Sequence, residues 1–418
     1  MPHPERPELV SPAGDLRKLR FALRYGADAV YVGTKRFSLR AQSGNFTLDE
    51  LAAGVAEAHA LGKKVYLTAN TYLRDNELPE LEALFREAAP IGLDGVICAD
   101  VGAMSLARER MPDVPLHIST QANTSNARTV KVWRELGASR VVLARELSFD
   151  EIKRIRDATD VSLEIFVHGA MCMALSGRCL LSSYFTSPVH TIGGKRRGVR
   201  DANRGDCVQS CRWNFVLSES ERPGEYFPVE ETPDGTTILS SKDLCLAHRM
   251  RELVEAGIDA FKIEGRMKGV YYVSNVTRVY RRALDDALAG RDTPPEILAE
   301  LEQVSHREYA TGFLFGEAAA LEPHLRGAYI RDRLWVGTVQ GKAGQGRTKI
   351  LTANRLRKGD RIEAIRPDGT NLAIPDFRIY REGVEIEMTG HDTEVELEFP
   401  GAEALREFDI LRGEITEN

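Results

Sequence analysis

Four stretches share one grammar: YGADAVYVG (25–33), IGLDGVICAD (91–100), LGASRVVLAR (136–145) and AGIDAFKIEG (256–265). In each, an amphipathic helix ends at a glycine (Gly26, Gly92, Gly137, Gly257), and one polar turn leads into an apolar strand. Glycine suits the left-handed position just past a helix end, where a Cβ would clash. Further strands are read at ELVSPAG (8–14), KVYLTANT (64–71), PLHISTQ (115–121) and LEIFVHGA (163–170). Helices are read at 47–62, 79–92 and 148–159, and they open on Thr, Pro and Ser, as a helix N-terminus prefers. About eight apolar strands thus alternate with helices. The simplest closure is a TIM-like (β/α) barrel of parallel strands, with a doubly wound open sheet as the alternative.

In such a barrel the strand C-termini form the functional face. Here they carry a polar ring: Ser11, Asn70, Asp100, Ser119, Gln121, Arg145, Glu146, His168, Glu264 and Arg266. After the helix at 273–290 the grammar changes. Short alternating strands at 334–339, 347–353, 360–365, 384–389 and 394–399 are separated by Lys-Gly-Asp, Pro-Asp-Gly and Thr-Gly-His turns, which read as hairpins. The expected division is a barrel over 1–290, a connector over 291–324 carrying REYATGFLFG (307–316), and a small all-β barrel over 325–418.

The 418 residues are 43% apolar and 28% charged, an ordinary balance for a globular enzyme. A formal net charge of −6 means that nucleic acid, if bound, needs a local basic patch. The opening MPHPERPELV has no basic start followed by an apolar run, and no apolar stretch reaches the roughly 18 residues of a membrane helix. The expectation is a cytoplasmic protein away from membranes, its thiols reduced.

Five of the six cysteines fall between 172 and 245: Cys172, Cys179, Cys207, Cys211 and Cys245. Cys172 directly follows a strand, which puts it on the functional face. No Cys-x-x-Cys pair occurs, and His168 and His248 lack structural-zinc spacing. Buried free thiols, zinc and an iron–sulfur cluster all remain readings of this cluster, thiolates converging from separate loops being what the last requires. Cys98, alone in VICAD, reads as a core residue. There is no His-Glu-x-x-His for a zinc protease and no Gly-x-Ser-x-Gly elbow. A Cys172–His168 nucleophilic pair would need an orienting partner that the sequence does not identify.

The run EIFVHGAMCMALSGRCLLS (164–182) resembles the defining motif of the collagenase-like peptidase family U32, through Glu164, Phe166, Gly169, Ala170, Cys172, Gly177, Cys179 and Ser182. The likeness continues in RDANRGDCVQSCRW (200–213), SSKDLC (240–245), FKIEGRMK (261–268) and ELVSPAGD (8–15), so it spans essentially the whole chain. The family's peptidase label is of unknown catalytic type. Its better understood members are hydroxylation factors that carry a 4Fe–4S cluster and work without molecular oxygen on transfer RNA, ribosomal RNA or a ubiquinone precursor. The chain is most similar to the branch serving 5-hydroxyuridine at the wobble position of tRNA, where prephenate is implicated as the oxygen source. The alternatives are a peptidase, as the label says, or a non-catalytic RNA-binding scaffold.

By position, the resemblance implies Cys172, Cys179 and Cys245 as cluster ligands. Cys207 is the choice for the fourth, although some relatives use both members of the Cys207/Cys211 pair. Arg145, Lys242 and Arg266 are expected clamps for a small dicarboxylate such as prephenate, since guanidinium pairs carboxylate two-pronged. The basic loop with Lys195, Arg196, Arg197 and Arg200, beside Trp213, is a candidate RNA surface, its cations for phosphates and an aromatic for stacking on the unpaired bases of the anticodon loop. Several relatives work in pairs or need companions, so a partner subunit is also an expectation.

Overall fold

The computed structural model describes residues 6–40, 43–172, 174–187, 199–213, 230–232, 235–237, 241–316, 329–344 and 346–414. Seven parallel strands come first: β1 (Glu8–Pro12), β2 (Ala29–Gly33), β3 (Lys64–Ala69), β4 (Gly95–Cys98), β5 (Leu116–Ile118), β6 (Ala138–Val142) and β7 (Ser162–Ala170). A small hairpin, β8 (Glu230–Thr232) and β9 (Gly235–Thr237), and the strand β10 (Asp243–Cys245) precede the eighth barrel strand, β11 (Ala260–Ile263). β11 pairs in parallel with both β1 and β7, which closes the barrel and excludes the open sheet.

Helices α1 (Leu16–Arg24), α2 (Leu48–Ala60), α3 (Leu78–Ala88), α4 (Val101–Arg110), α5 (Ala127–Glu135), α6 (Phe149–Asp157), α7 (Leu181–Thr186), α8 (Met250–Glu255) and α9 (Val270–Leu288) lie between and after the strands. Thr47 and Ser148 close capping boxes with Glu50 and Glu151, satisfying N–H groups that the first turns of α2 and α6 would leave open.

The repeat has a physical reason. Gly26, Gly92, Gly137 and Gly257 all take positive φ, from 74° to 108°. In three of the four repeats an aspartate two residues later ties the new strand to its neighbour, and in the fourth Ser139 Oγ reaches the Leu116 carbonyl at 3.0 Å. The Asp28 N–H donates to the Leu9 carbonyl, while its carboxylate accepts the Leu9 N–H at 3.0 Å. Asp94 does the same with Val65, and Asp259 with Leu163. Each aspartate thus fixes the register at which two parallel strands begin.

β7 runs nine residues, longer than its neighbours, and its end leaves the barrel: Gly169 and Ala170 pair with antiparallel β10, which pairs in turn with β12 (Tyr309–Ala310). Part of the segment expected to be a mere connector therefore joins the barrel sheet, after α10 (Pro295–Leu298).

The C-terminal region is an antiparallel sheet of β13 (Arg333–Gly344), β14 (Arg347–Thr352), β15 (Ile362–Ile365), β16 (Asn371–Ile374), β17 (Arg378–Arg381), β18 (Val384–Ile386), β19 (Glu394–Glu398) and β20 (Ile410–Glu414). Their order is β16-β15-β20-β13-β14-β19-β17-β18, around a separate core that includes Val339, Ile350, Ile379 and Leu397. The sheet docks on the helix layer: the Tyr25 hydroxyl of α1's last turn reaches the Ile365 and Phe408 carbonyls, and Arg412 and Arg278 share Glu300. No helix among the described residues is long and apolar enough to cross a membrane.

Candidate active site

The C-terminal ends of the strands surround a pocket lined by Tyr31, Arg40, Asn70, Gln121, Arg145, Lys262, Glu264 and Arg266, among others. Six members of the polar ring read from sequence meet there: Asn70, Ser119, Gln121, Arg145, Glu264 and Arg266. The other four have structural partners. Ser11 bonds Thr277 at 2.7 Å, and Asp100 caps α4. Glu146 holds Ser176, whose positive φ of 45° would otherwise be costly, through its N–H at 2.6 Å and its hydroxyl at 3.1 Å. His168 faces away, as described below.

Three arginines and one carboxylate dominate the pocket. Arg266, 2% exposed, is pinned through Nη1 by Ser38 Oγ at 2.6 Å and Thr68 Oγ1 at 3.1 Å. Burial pulls its guanidinium down to about 10. Arg145, 8% exposed, gives Nη1 to the Ala170 carbonyl and lies over Phe166, while its buried Nε has no hydrogen-bond partner among the described residues. Arg40 donates to Glu264 at 3.2 Å from a left-handed backbone position of φ 86°. Burial would raise the Glu264 carboxyl, but Arg40, Arg266 and Arg145 outweigh it and hold it below the ordinary carboxylate value. Sequence reading missed Arg40. Its signal is faint, an arginine inside FSLRA with no helical or strand periodicity around it.

Lys242 does not line this pocket. It stands next to Ser241 on the β10 branch and faces Glu308 at 3.9 Å, so the expected clamp is corrected to a residue of the outer sheet extension.

The cysteines divide. Cys207 is exposed as a residue, but the packing around its sulfur pushes the thiol up; the sulfur is bonded by the Gln209 N–H at 3.3 Å and feels Cys172, Arg40 and Cys179. Arg40 in turn feels Cys172 and Cys207. These three sulfurs therefore share one neighbourhood beside the mouth. Their loops are braced: the Asn203 side chain accepts the Cys179 N–H at 3.1 Å and donates to its carbonyl at 2.9 Å, and the fully buried Ser182 hydroxyl ties Arg200 to Val208. Among the described residues no three His, Cys, Asp or Glu side chains form a group that could hold a metal ion.

Cys245 lies elsewhere. It sits opposite His168 in the β7–β10 register, so the two side chains share a face, and that face packs on Tyr272, Tyr280 and Tyr309. The Tyr280 hydroxyl approaches Cys245 Sγ at 3.8 Å, and burial raises the thiol to about 11. β10 turns the Cys245 side chain toward Tyr280 of α9, whereas the sulfurs that Cys207 feels are Cys172 and Cys179. The same face removes a Cys172–His168 pair, for burial drops the His168 imidazole to about 3 and its Nδ1 meets Tyr280. Cys98 is fully buried in the core, as read.

Of the RNA candidates, Lys195, Arg196 and Arg197 lie outside the described residues. Arg200 pairs with Asp206 at 2.6 Å. Trp213 neighbours Phe185 at 5.9 Å, beside the exposed Tyr184.

These features define an α/β-barrel protein with a cation-lined mouth under three neighbouring thiols and a β-sheet domain docked on its helices. The chain belongs to peptidase family U32: the model described as Peptidase family U32 matches residues 14–322, and that of the Peptidase family U32 C-terminal domain matches 331–412. It is similar to the tRNA hydroxylation protein P of Escherichia coli (strain K12), 37% identical over 406 residues and 87% of each chain. It is similar also to the tRNA hydroxylation protein P1 of Bacillus subtilis (strain 168), 36% identical over 400 residues, 94% of this chain and 91% of that one. A 5-hydroxycytidine synthase of 23S rRNA from Escherichia coli (strain K12) is 38% identical over 286 residues, 68% of this chain and 40% of its own.

Proposed function

We propose that this protein is an RNA-modifying enzyme that hydroxylates a pyrimidine, the wobble uridine of tRNA, to 5-hydroxyuridine in the cytoplasm, without molecular oxygen and with prephenate as co-substrate. The observation that carries the reading is the meeting of surplus buried cations with three thiols at the barrel mouth. Relatives named for tRNA and rRNA hydroxylation supply the reaction class.

The Cys207 thiol feels both Cys172 and Cys179, so the three sulfurs lie near one another, as ligands around a polynuclear centre would. Cys172, Cys179 and Cys207 would hold a 4Fe–4S cluster, with Cys211, four residues past Cys207, in place of Cys245. Bound there, such a cluster supplies electron transfer or an open iron site. Arg266, Arg145 and Arg40 would hold the carboxylates of the co-substrate, because guanidinium groups in a water-poor pocket bind anions strongly. The aromatic group of Tyr184, Phe185 and Trp213 offers surfaces on which neighbouring unpaired bases can stack. His168 faces the helix layer and so offers the Cys172 thiol no general base.

The test is nucleoside mass spectrometry of a deletion strain, in which tRNA 5-hydroxyuridine should vanish and return with the intact gene; unchanged nucleoside would sink the assignment. In anaerobically purified protein, Cys207→Ala and Cys211→Ala should each lose most of the visible cluster absorbance, whereas Cys245→Ser should keep it. A colourless Cys245→Ser protein would restore that residue as a ligand.

A further inference from the structure

Gln121 projects into the mouth from the turn that follows β5, with its backbone carbonyl held by Arg178 Nε at 2.8 Å. Its side-chain amide makes no hydrogen bond among the described residues. The other side-chain carbonyl and carboxylate oxygens of the pocket are engaged: Asn70 Oδ1 accepts the Leu39 N–H at 3.2 Å, and Glu264 accepts from Arg40 and Tyr31. Everything else charged on the wall is cationic and only donates. The pocket therefore presents donors in excess and one unengaged carbonyl oxygen, on Gln121.

The place it occupies is kept open by a glycine. A Cβ on Gly177, itself at φ +78°, would stand 2.8 Å from Gln121 Nε2, 3.5 Å from Cys172 Sγ and 3.5 Å from Arg145 Nη2. An amide, a thiol and a guanidinium thus surround one point on the loop that joins Cys172 to Cys179.

We propose that Gln121 is the specificity residue of this site, its carboxamide pairing two-pronged with the Watson–Crick edge of a pyrimidine drawn out of its strand. The assignment rests on the RNA reading above and deepens it. Enzymes that act on an extruded base read it through that edge. Uracil offers one donor, N3–H, flanked by carbonyls; Gln121 Oε1 accepts the first while Nε2 donates to a neighbouring carbonyl. The surrounding arginines can serve the remaining carbonyl oxygen but not N3–H.

The full-length protein is titrated by fluorescence anisotropy against two RNA hairpins of anticodon-arm sequence, identical except for uridine or an abasic site at the wobble position. Phosphate contacts are common to both, so the affinity ratio isolates the base. The wild type should prefer the uridine hairpin about tenfold, in the range of one good bidentate pair. Gln121→Met, similar in length but without hydrogen-bonding groups, should abolish the preference while visible absorbance per chain stays unchanged, and Gln121→Glu, which keeps the acceptor for N3–H but lacks the donor, should retain part of it. A preference above threefold persisting in Gln121→Met overturns the proposal. So does loss of absorbance in Gln121→Met, which would make the residue a support of the thiol loop. Equal wild-type affinity for both hairpins overturns it while leaving RNA binding intact; failure to bind either hairpin sinks the RNA reading itself, and the proposal with it.

Discussion

The floor and the mouth of the barrel are built from the same residue types to opposite ends. At the floor, Glu8 meets Arg140 at 2.7 Å, Arg140 meets Glu164 at 3.3 Å, Glu164 meets Lys262 at 2.6 Å, and Tyr66 donates to Glu8 at 2.7 Å. Two carboxylates face the buried cations Arg140 and Lys262 there, and the half-exposed Lys64 also reaches Glu8 from the rim. At the mouth, among the described residues, Arg40, Arg145 and Arg266 face the single carboxylate of Glu264. A balanced buried network is satisfied by its own members and specifies the packing of the interior. An unbalanced one is costly in isolation, so the surplus at the mouth is what an anionic or carbonyl-rich ligand would complete. Lys262 belongs to both layers: it pairs with Glu164 below and lines the pocket above.

The comparison breaks most visibly at Glu164, whose side chain is fully buried between two cations. Glu164→Ala leaves Arg140 and Lys262 without their shared carboxylate, a loss of roughly 3–5 kcal/mol for a broken buried pair. Urea denaturation followed by far-ultraviolet circular dichroism should show the transition moved strongly to lower urea. A variant as stable as the wild type would mean that the floor is no more a structural network than the mouth.

Arg266 should behave the other way. The fold disfavours its cation, as the lowered guanidinium value records, so at neutral pH the charge stabilises nothing by itself. In Arg266→Met the Ser38 and Thr68 hydroxyls keep each other as partners at 2.6 Å. The expected outcome is a thermal midpoint equal to or above that of the wild type, with 5-hydroxyuridine in the complemented deletion strain falling roughly ten- to a hundredfold, the weight of one or two charge-assisted hydrogen bonds. Full modification by Arg266→Met would place the arginine with the structural charges of the floor.

How much of this was legible beforehand follows the same division. The barrel was readable because its repeat is local: a helix, a glycine at positive φ and an apolar strand lie within ten residues. The aspartate ties were not, since Asp28, Asp94 and Asp259 act on another strand's backbone. Most of the mouth is legible from strand ends, but Arg40 comes from an irregular loop, and Lys242 stands just before β10, a strand that runs antiparallel to β7 and that no periodicity in SSKDLC announces. In the C-terminal sheet, β16, β17 and β20 went unread, being four or five residues long with little alternation.

The smallest expected effect lies at the floor again, in its one imidazole. His117 is buried edge-on against Tyr66 at 4.8 Å, with Nδ1 unpartnered among the described residues. Burial first, then the cations Arg140, Lys262 and Lys64, hold it well below its ordinary value, so it stays neutral in the fold. The unfolded chain takes up this proton as pH falls through about 6.5 while the folded chain does not, so the group removes stability on the acid side and contributes nothing above it. The slope is at most about 1.4 kcal/mol per pH unit. Glu8, held below the ordinary carboxylate value, stays charged across this window and does not obscure the effect. His117→Phe keeps an aromatic ring and discards the unpartnered nitrogen, so at pH 7.5 its unfolding free energy from urea titration should differ by under about 1 kcal/mol from that of the wild type. Between pH 7.5 and 5.5 the variant should lose less stability than the wild type. Equal losses would mean that His117 takes up its proton in the folded barrel, and that the floor holds room for one further charge.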